Sequence, residues 1–438
     1  MNRIRVLQVS NQLGLGGTDA TLQVLATHVN RQYFEVFAAG IDHGGAREQT
    51  LREQGIPTIV CNGDLEKVAE LVRSQHIDVI HLHHCHLPLH VLSGCKVALT
   101  HQFSTCVYDR EQELRFARLL FNSTRTLQKY LSTYAIADIP ANAEIIYNPI
   151  DLTQVRAVQA SISAKEVADY RRALGLEPDA FVIGRLGRAD IVKWSDFLIE
   201  ALRPLLKSDG AIKVLIQTAP PSRTKRLEAE FGNSVVVLPE SSSPRDLALF
   251  FSALDVYAHA SKIGESFGVS IAEAMAFKKP VVVNSTPGVD NAQIELVDND
   301  STGYVVEYPI SFARAIQRLR EDRPLREQMG EAGYAKVKAK YSADSVTAQY
   351  ERILFNMMGV SNEPEMTAYV SSLTPPISHA DMQRSFVEYQ RRLKDTFGAV
   401  STAERVAYRM RFPLRFLGRI SDYLEYRRQL RAQRERSG

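Results

Sequence analysis

Two carboxylates, Glu265 and Glu273, stand with seven residues between them in the run Gly264 to Ala276, GESFGVSIAEAMA. The run predicts a helix starting just after Glu265, which leaves Glu265 in the preceding loop and puts Glu273 about two turns on. A carboxylate accepts hydrogen bonds on both oxygens, so Glu273 suits the paired hydroxyls of a ribose and Glu265 the hydroxyls of a sugar. The open amides of Phe267, Gly268, Val269 and Ser270 would make a positive helix end suited to phosphates. A capped helix with an exposed Glu would look the same. Earlier in the chain, Gly184-Arg185-Leu186-Gly187-Arg188 ends an apolar run, and Lys193 follows Arg188 by five residues. An Arg and a Lys at a strand's carboxyl end can neutralise a departing diphosphate; two solvated surface charges are the plainer account. Near the start, Gly14-Leu15-Gly16-Gly17-Thr18-Asp19 lacks the dinucleotide spacing but follows a strand and opens a helix. There Gly16 and Gly17 let a phosphate or sugar approach the backbone, as would any tight turn with the same residues.

These groups need elements to hold them. Short apolar runs at Ile4 to Ser10, Phe34 to Ala39, Thr58 to Cys61, Val79 to Leu82 and Val97 to Thr100 alternate with helical patterns such as Thr18 to Val29 and Leu65 to Ser74. A second series runs through Ala180 to Leu186, Lys213 to Gln217, Val235 to Leu238, Val256 to His259 and Pro280 to Asn284. Strands alternating with helices predict parallel, doubly wound sheets. We therefore expect an α/β protein of two Rossmann-like domains plus a C-terminal helical extension. The expected boundaries are 1–155 for an N-terminal Rossmann-like domain and 156–340 for a C-terminal Rossmann-like domain. A closing helix at 341–360, a linker at 361–379 and a basic helical extension at 380–438 follow.

The 438 residues exceed what one core organises. Four cysteines, at 61, 85, 95 and 106, give no disulfide framework, the start carries no apolar signal region, and no apolar stretch is long enough to span a bilayer. A reduced, cytoplasmic protein is expected, with membrane contact confined to the surface of the inner face. The net charge is only +3, but residues 380–438 hold 14 Lys and Arg against 7 Asp and Glu, so the basicity is local to the tail.

The run from Glu265 to Ala276 resembles the signature of the retaining glycosyltransferases of family four, which have the two-domain GT-B architecture. The match consists of Glu, seven residues and Glu, with Phe-Gly inside and Glu-Ala-Met-Ala at the end. Gly187, Arg188 and Lys193 look like that family's Gly-Arg followed by Lys, and Gly16-Gly17-Thr18-Asp19 like its Gly-Gly-x-Glu loop. The resemblance runs through most of residues 4–358 and implies two domains facing across a cleft. It also implies that Arg188 and Lys193 hold the donor diphosphate, Glu273 the ribose and Glu265 the transferred sugar. Phe267, Gly268 and Val269 fall at the donor's helix end, and backbone groups near Leu238 select the base. Asp19 is shorter than the family's usual Glu, and Trp194, the single tryptophan, stands where Gly commonly follows the Lys.

The resemblance further implies a metal-independent transferase that uses a nucleotide-sugar, UDP- or GDP-linked, as substrate and no separate cofactor. The leaving diphosphate would assist the incoming hydroxyl on the same face. The expected partners are that donor and a glycan or lipid-linked acceptor of cell-surface polysaccharide synthesis, not nucleic acid. A sugar-nucleotide epimerase and a noncatalytic nucleotide-sugar-binding scaffold are the alternatives. The segment His81, His83, His84, Cys85, His86 and His90 invites a metal reading, but alternate strand positions point to opposite faces and tetrahedral spacing is missing. The family likeness instead singles out His101 as a contact to the donor sugar, against the plainer account of a hydrogen-bonded core histidine. In the tail, Thr402 to Arg436 mixes basic with apolar and aromatic residues. That pattern suits an anionic membrane surface, packing on the body, or a second protomer equally well.

Overall fold

The computed structural model describes residues 3–103, 110–113, 115–360 and 364–410. Its chain divides into two compact units. Among the described residues, the first comprises those up to Gln154, with Ser266–Ala272 and Ala335–Arg391; the second comprises Val155–Glu265, Glu273–Tyr334 and 392–410.

The first unit holds β1 (Ile4–Gln12), β2 (Phe34–His43), β3 (Thr58–Val60), β4 (Val79–His83), β5 (Lys96–His101), β6 (Arg118–Phe121) and β7 (Ala143–Ile145). They form one parallel sheet in the order β3-β2-β1-β4-β5-β6-β7. Alternation along β1 explains the layering. Leu7 and Val9 enter one buried cluster with Ile80 and Leu82, whereas Ile4 and Val6 enter another on the opposite face with Val36 and Val79. The helix Ala343–Met358 supplies Val346, Tyr350, Ile353, Leu354 and Phe355 to that second cluster. Each such side chain contributes about 2 kcal/mol through burial, which fixes the helix to this sheet. Its ends are written in the sequence: Ser342 accepts the Ser345 N–H, and Gly359 takes the left-handed conformation after the last turn.

The second unit holds β8 (Phe181–Leu186), β9 (Ile212–Gln217), β10 (Val235–Leu238), β11 (Val256–His259), β12 (Val281–Asn284) and β13 (Gly303–Val306). They form a parallel sheet in the order β10-β9-β8-β11-β12-β13. In each sheet the order reverses beside the first strand, at β1/β4 and at β8/β11. Such switch points leave a crevice at the strands' carboxyl ends.

Strands β6, β7 and β13 were not expected from the sequence. The stretch 361–379 is also more than the expected linker: Pro364–Ser372 is a helix. Its Met366 and Val370 are buried in the first unit, and Arg352 Nε donates to the Thr374 carbonyl at 3.1 Å just beyond it. Proline at the first helical position loses no hydrogen bond, which is why it begins this helix rather than breaking it.

Beyond it, the helix His379–Arg392 buries Met382 and Tyr389 in the first unit, with His379 Nε2 3.0 Å from the Pro140 carbonyl. Residues 392–410 lie on the second unit. Arg392 Nη2 meets Asp298 at 2.6 Å, Phe397 stacks on Tyr304 with ring centres 4.2 Å apart, and Glu404 meets Arg314 at 2.7 Å on the helix Thr402–Met410. The described part of the extension therefore packs on the body; residues 411–436 of the expected basic helix lie outside the described residues. Among the described residues no helix is long and apolar enough to cross a membrane.

Candidate active site

The second unit's switch point carries a cluster of charges. Strand β8 ends at Leu186, and the loop that follows is tied by Asp190, whose side chain accepts the Val192 N–H at 3.0 Å and whose carbonyl accepts the Lys193 N–H at 3.0 Å. Trp194 pairs with Ser261 in an antiparallel bridge, and the Lys262 N–H donates to the Lys193 carbonyl at 2.9 Å. This stitching joins the loop after β8 to the loop after β11. It brings Lys193 Nζ to 2.8 Å from Glu265 Oε2.

Glu265 is held on every side. Its other oxygen, Oε1, lies 3.1 Å from His259 Nε2 at the end of β11. Its N–H donates to Gln293 Oε1 at 3.0 Å, and its carbonyl accepts the Ala292 N–H at 2.7 Å. Gln293 in turn donates to the Asn284 carbonyl at 2.9 Å, while Asn284 exchanges two 3.0 Å hydrogen bonds with the Ser261 backbone. Gly264 allows the turn: its φ is +69°, and a Cβ there would fall 1.5 Å from the Asp290 carbonyl oxygen. Burial alone would raise the Glu265 carboxyl. The Lys193 ammonium and the His259 hydrogen bond outweigh it and hold the group well below the usual carboxylate range. His259 is pushed down from its ordinary value by burial, so it is neutral and donates from Nε2.

Of the two strand-end arginines, the structure buries Arg185 and exposes Arg188. Arg185 is 2% exposed; its guanidinium carbon stands 3.7 Å above the Trp194 ring centre and its Nη2 donates to the Ala260 carbonyl at 3.2 Å. Burial lowers it to about 10, which leaves it a cation behind Glu265. Arg188, whose side chain is 51% exposed, stands 3.9 Å from Asp190. Trp194 is buried and donates to the Arg188 carbonyl at 3.1 Å, so it packs the loop. Glu273 is half-buried on the helix Val269–Ala276. Leu238 ends β10, where its carbonyl accepts the Thr218 N–H at 3.0 Å. The structure thus joins Lys193 with Glu265 and adds Arg185, His259 and Gln293, which sequence reasoning passed over.

Within the first unit, the glycine turn meets the start of that same helix. A Cβ on Gly17 would come 3.1 Å from Val269 Cγ2, and Phe267 packs edge-on against Tyr341. The Ser266 hydroxyl lies 3.5 Å from Asn122 Nδ2. Gly16 precedes the helix Gly17–His28, and buried Asp19 braces the turn by accepting hydrogen bonds from the Ser10 hydroxyl at 2.9 Å and from the Gly14 and Gly16 backbone. His101 lies in the core of the first unit, stacked on Phe121 with ring centres 4.9 Å apart and 3.7 Å from Glu113. Burial pushes it down to about 3.

The histidines of β4 form a neutral network. His81 contacts the Tyr350 hydroxyl at 2.9 Å and Thr100 at 2.6 Å; His83 contacts Gln8 at 2.6 Å, and Gln8 donates to Tyr350 at 2.9 Å. Among the described residues no three His, Cys, Asp or Glu side chains gather in a group that could hold a metal ion.

Residues 166–336 match the family described as Glycosyl transferases group 1, and this stretch is a domain of that kind. Among curated relatives, the D-inositol 3-phosphate glycosyltransferase of Thermomonospora curvata is 28% identical over 227 residues, covering 48% of this chain and 51% of the relative. The chain spans about half the length of the curated relatives it matches. A solved glycosyltransferase from Rickettsia africae aligns over 82% of this chain and 99% of its own with a TM-score of 0.69 at 19% identity. Anabaena HepE, solved with UDP-glucose, aligns over 82% of this chain and all of its own with a TM-score of 0.64 at 18% identity. What this chain shares with these structures is the fold of two Rossmann-like α/β domains, and 82% of its length is covered in each alignment.

Proposed function

We propose that this chain is a glycosyltransferase that moves a sugar from a nucleotide-sugar to a glycan or lipid-linked acceptor, with retention of configuration and without a divalent ion. The observation that carries the reading is the Lys193–Glu265 pair at the switch point of the second sheet, inside the glycosyl transferases group 1 domain. A mobile ammonium beside a fixed carboxylate supplies what a sugar diphosphate needs: a cation for the phosphates and an acceptor for the sugar's hydroxyls. Arg188, exposed on the same loop beside Asp190, would swing to the diphosphate, with the fixed charge of Arg185 behind it. Glu273 would take the ribose hydroxyls. The fold shared with HepE, which was solved with UDP-glucose, makes a UDP-sugar the first donor to try.

The first test is a thermal-shift and hydrolysis screen against UDP-, GDP- and ADP-sugars on the wild type and on Glu273→Ala. One nucleotide stabilising only the wild type, with slow sugar release, is expected; no response to any would refute the reading. Product analysis with donor alone separates transfer from epimerisation. Retention through same-face departure of the diphosphate predicts that no covalent glycosyl-enzyme can be trapped, and a chelator should leave the rate unchanged. For a lipid-linked acceptor, the basic stretch 411–436 is the segment to meet anionic headgroups, and removing residues 411–438 should abolish sedimentation with anionic vesicles.

A further inference from the structure

The two partners of the Glu265 carboxylate differ in kind. Lys193 reaches Oε2 from a loop on a four-carbon stem, with its side chain 23% exposed. His259 reaches Oε1 from the end of a central strand, with its side chain 5% exposed and its ring lying nearly parallel to Tyr257 at 6.2 Å. One partner can leave and the other cannot.

A donor diphosphate competes with Glu265 for the Lys193 ammonium, because two adjacent phosphates carry more charge than one carboxylate. When Lys193 moves to the phosphates, Oε2 becomes the open acceptor for a sugar hydroxyl. The carboxylate then needs a second anchor to keep it from rotating about its terminal bond, a torsion with broad minima. We propose that His259 is the positioning residue of this site, holding Glu265 by Oε1 so that Oε2 is aimed at the donor sugar once the diphosphate draws Lys193 away. The assignment rests on the donor reading above. The Tyr257 hydroxyl braces the same corner, donating to the Leu186 carbonyl at 3.0 Å and accepting the Leu186 N–H at 3.3 Å, so the strand end that carries His259 is itself fixed to β8.

The role separates nucleotide binding from turnover. His259→Phe removes the Nε2 donor at similar size, and His259→Gln keeps an amide donor. With UDP and UDP-glucose as probes, or the corresponding pair if the screen selects GDP or ADP, His259→Phe should bind the free nucleotide within about twofold of wild type yet lose about 10- to 100-fold in kcat, the scale of a misplaced reacting group. His259→Gln should recover part of that loss. Turnover of His259→Phe within twofold of wild type would overturn the proposal. So would a parallel fall of nucleotide affinity, kcat and melting temperature in both variants, the signature of a purely structural role. Failure of the wild type to bind any nucleotide would overturn the donor reading itself, and the assignment with it.

Discussion

The two sheets share a strand order up to the added edge strand β7, yet their switch points are furnished in opposite ways. Between β1 and β4 a buried set of neutral groups, Gln8, His81, His83, Thr100 and Tyr350, is joined by hydrogen bonds. At β8 and β11 the groups are ions, Arg185, Lys193 and Glu265, with neutral His259 between. The same topology can line its switch point with a neutral hydrogen-bonded network or with ions. If the second site takes the donor as proposed, its ion pair is the contact to be exchanged, with Lys193 the more exposed partner.

This contrast can be broken experimentally. Glu265→Gln should have the largest effect, a loss of about 10²- to 10³-fold in transfer rate, as for removal of a group that meets the reacting sugar. A melting temperature close to wild type would show that the loss is chemical. Gly264→Ala should instead destabilise, by about 3 kcal/mol or more in chemical denaturation, since its φ of +69° and the Asp290 carbonyl leave no room for a Cβ. On the neutral side, Tyr350→Phe removes the hydroxyl shared by Gln8 and His81 and should cost about 1–3 kcal/mol of stability while sparing kcat.

Acid should weaken both regions through their buried histidines, and the charged one again through Glu265. His81 and His83 are pushed down by burial, His83 to about 3, so below the ordinary value of 6.5 the unfolded chain takes up protons that the folded one refuses. Stability is therefore lost as pH falls through 6.5, at about 1.4 kcal/mol per pH unit for each histidine. Glu265 has a depressed value, so its contribution is complete above the ordinary 4.5 and falls away only below it. Replacing His83 by Gln should reduce the slope of stability against pH by about 1.4 kcal/mol per unit between pH 6.5 and about 3, measured by urea unfolding at a series of pH values.

The charged side was legible where local spacing encodes it. The Glu265 to Ala276 run and the Lys193 position could be picked out because loop, helix start and cation are read from neighbours in sequence. Arg185 was in view, three residues before the chosen Arg188. Its place inside the apolar run Phe181–Leu186 was the available signal that it would be buried while Arg188 lay beyond the strand. His259 and Gln293 left less trace, since their roles depend on partners 6 and 28 residues away that meet only in the fold. Among the elements, β6 and β7 have four and three residues, too short to show a period. Pro364 resembled a linker residue when it was a helix's first residue.

The segment after Arg392 has a consequence for solubility. Strand β13 is the last in its sheet, and an unpaired sheet edge is a template for another chain. Here the Val305 N–H is taken by Asn299 Oδ1 at 3.1 Å and its carbonyl by the Phe397 N–H at 2.8 Å, while Phe397 covers the neighbouring Tyr304 ring. A chain cut before Arg392 would keep both sheets but present that edge to its own copies, so the extension guards against strand-to-strand aggregation whatever else its basic end contacts.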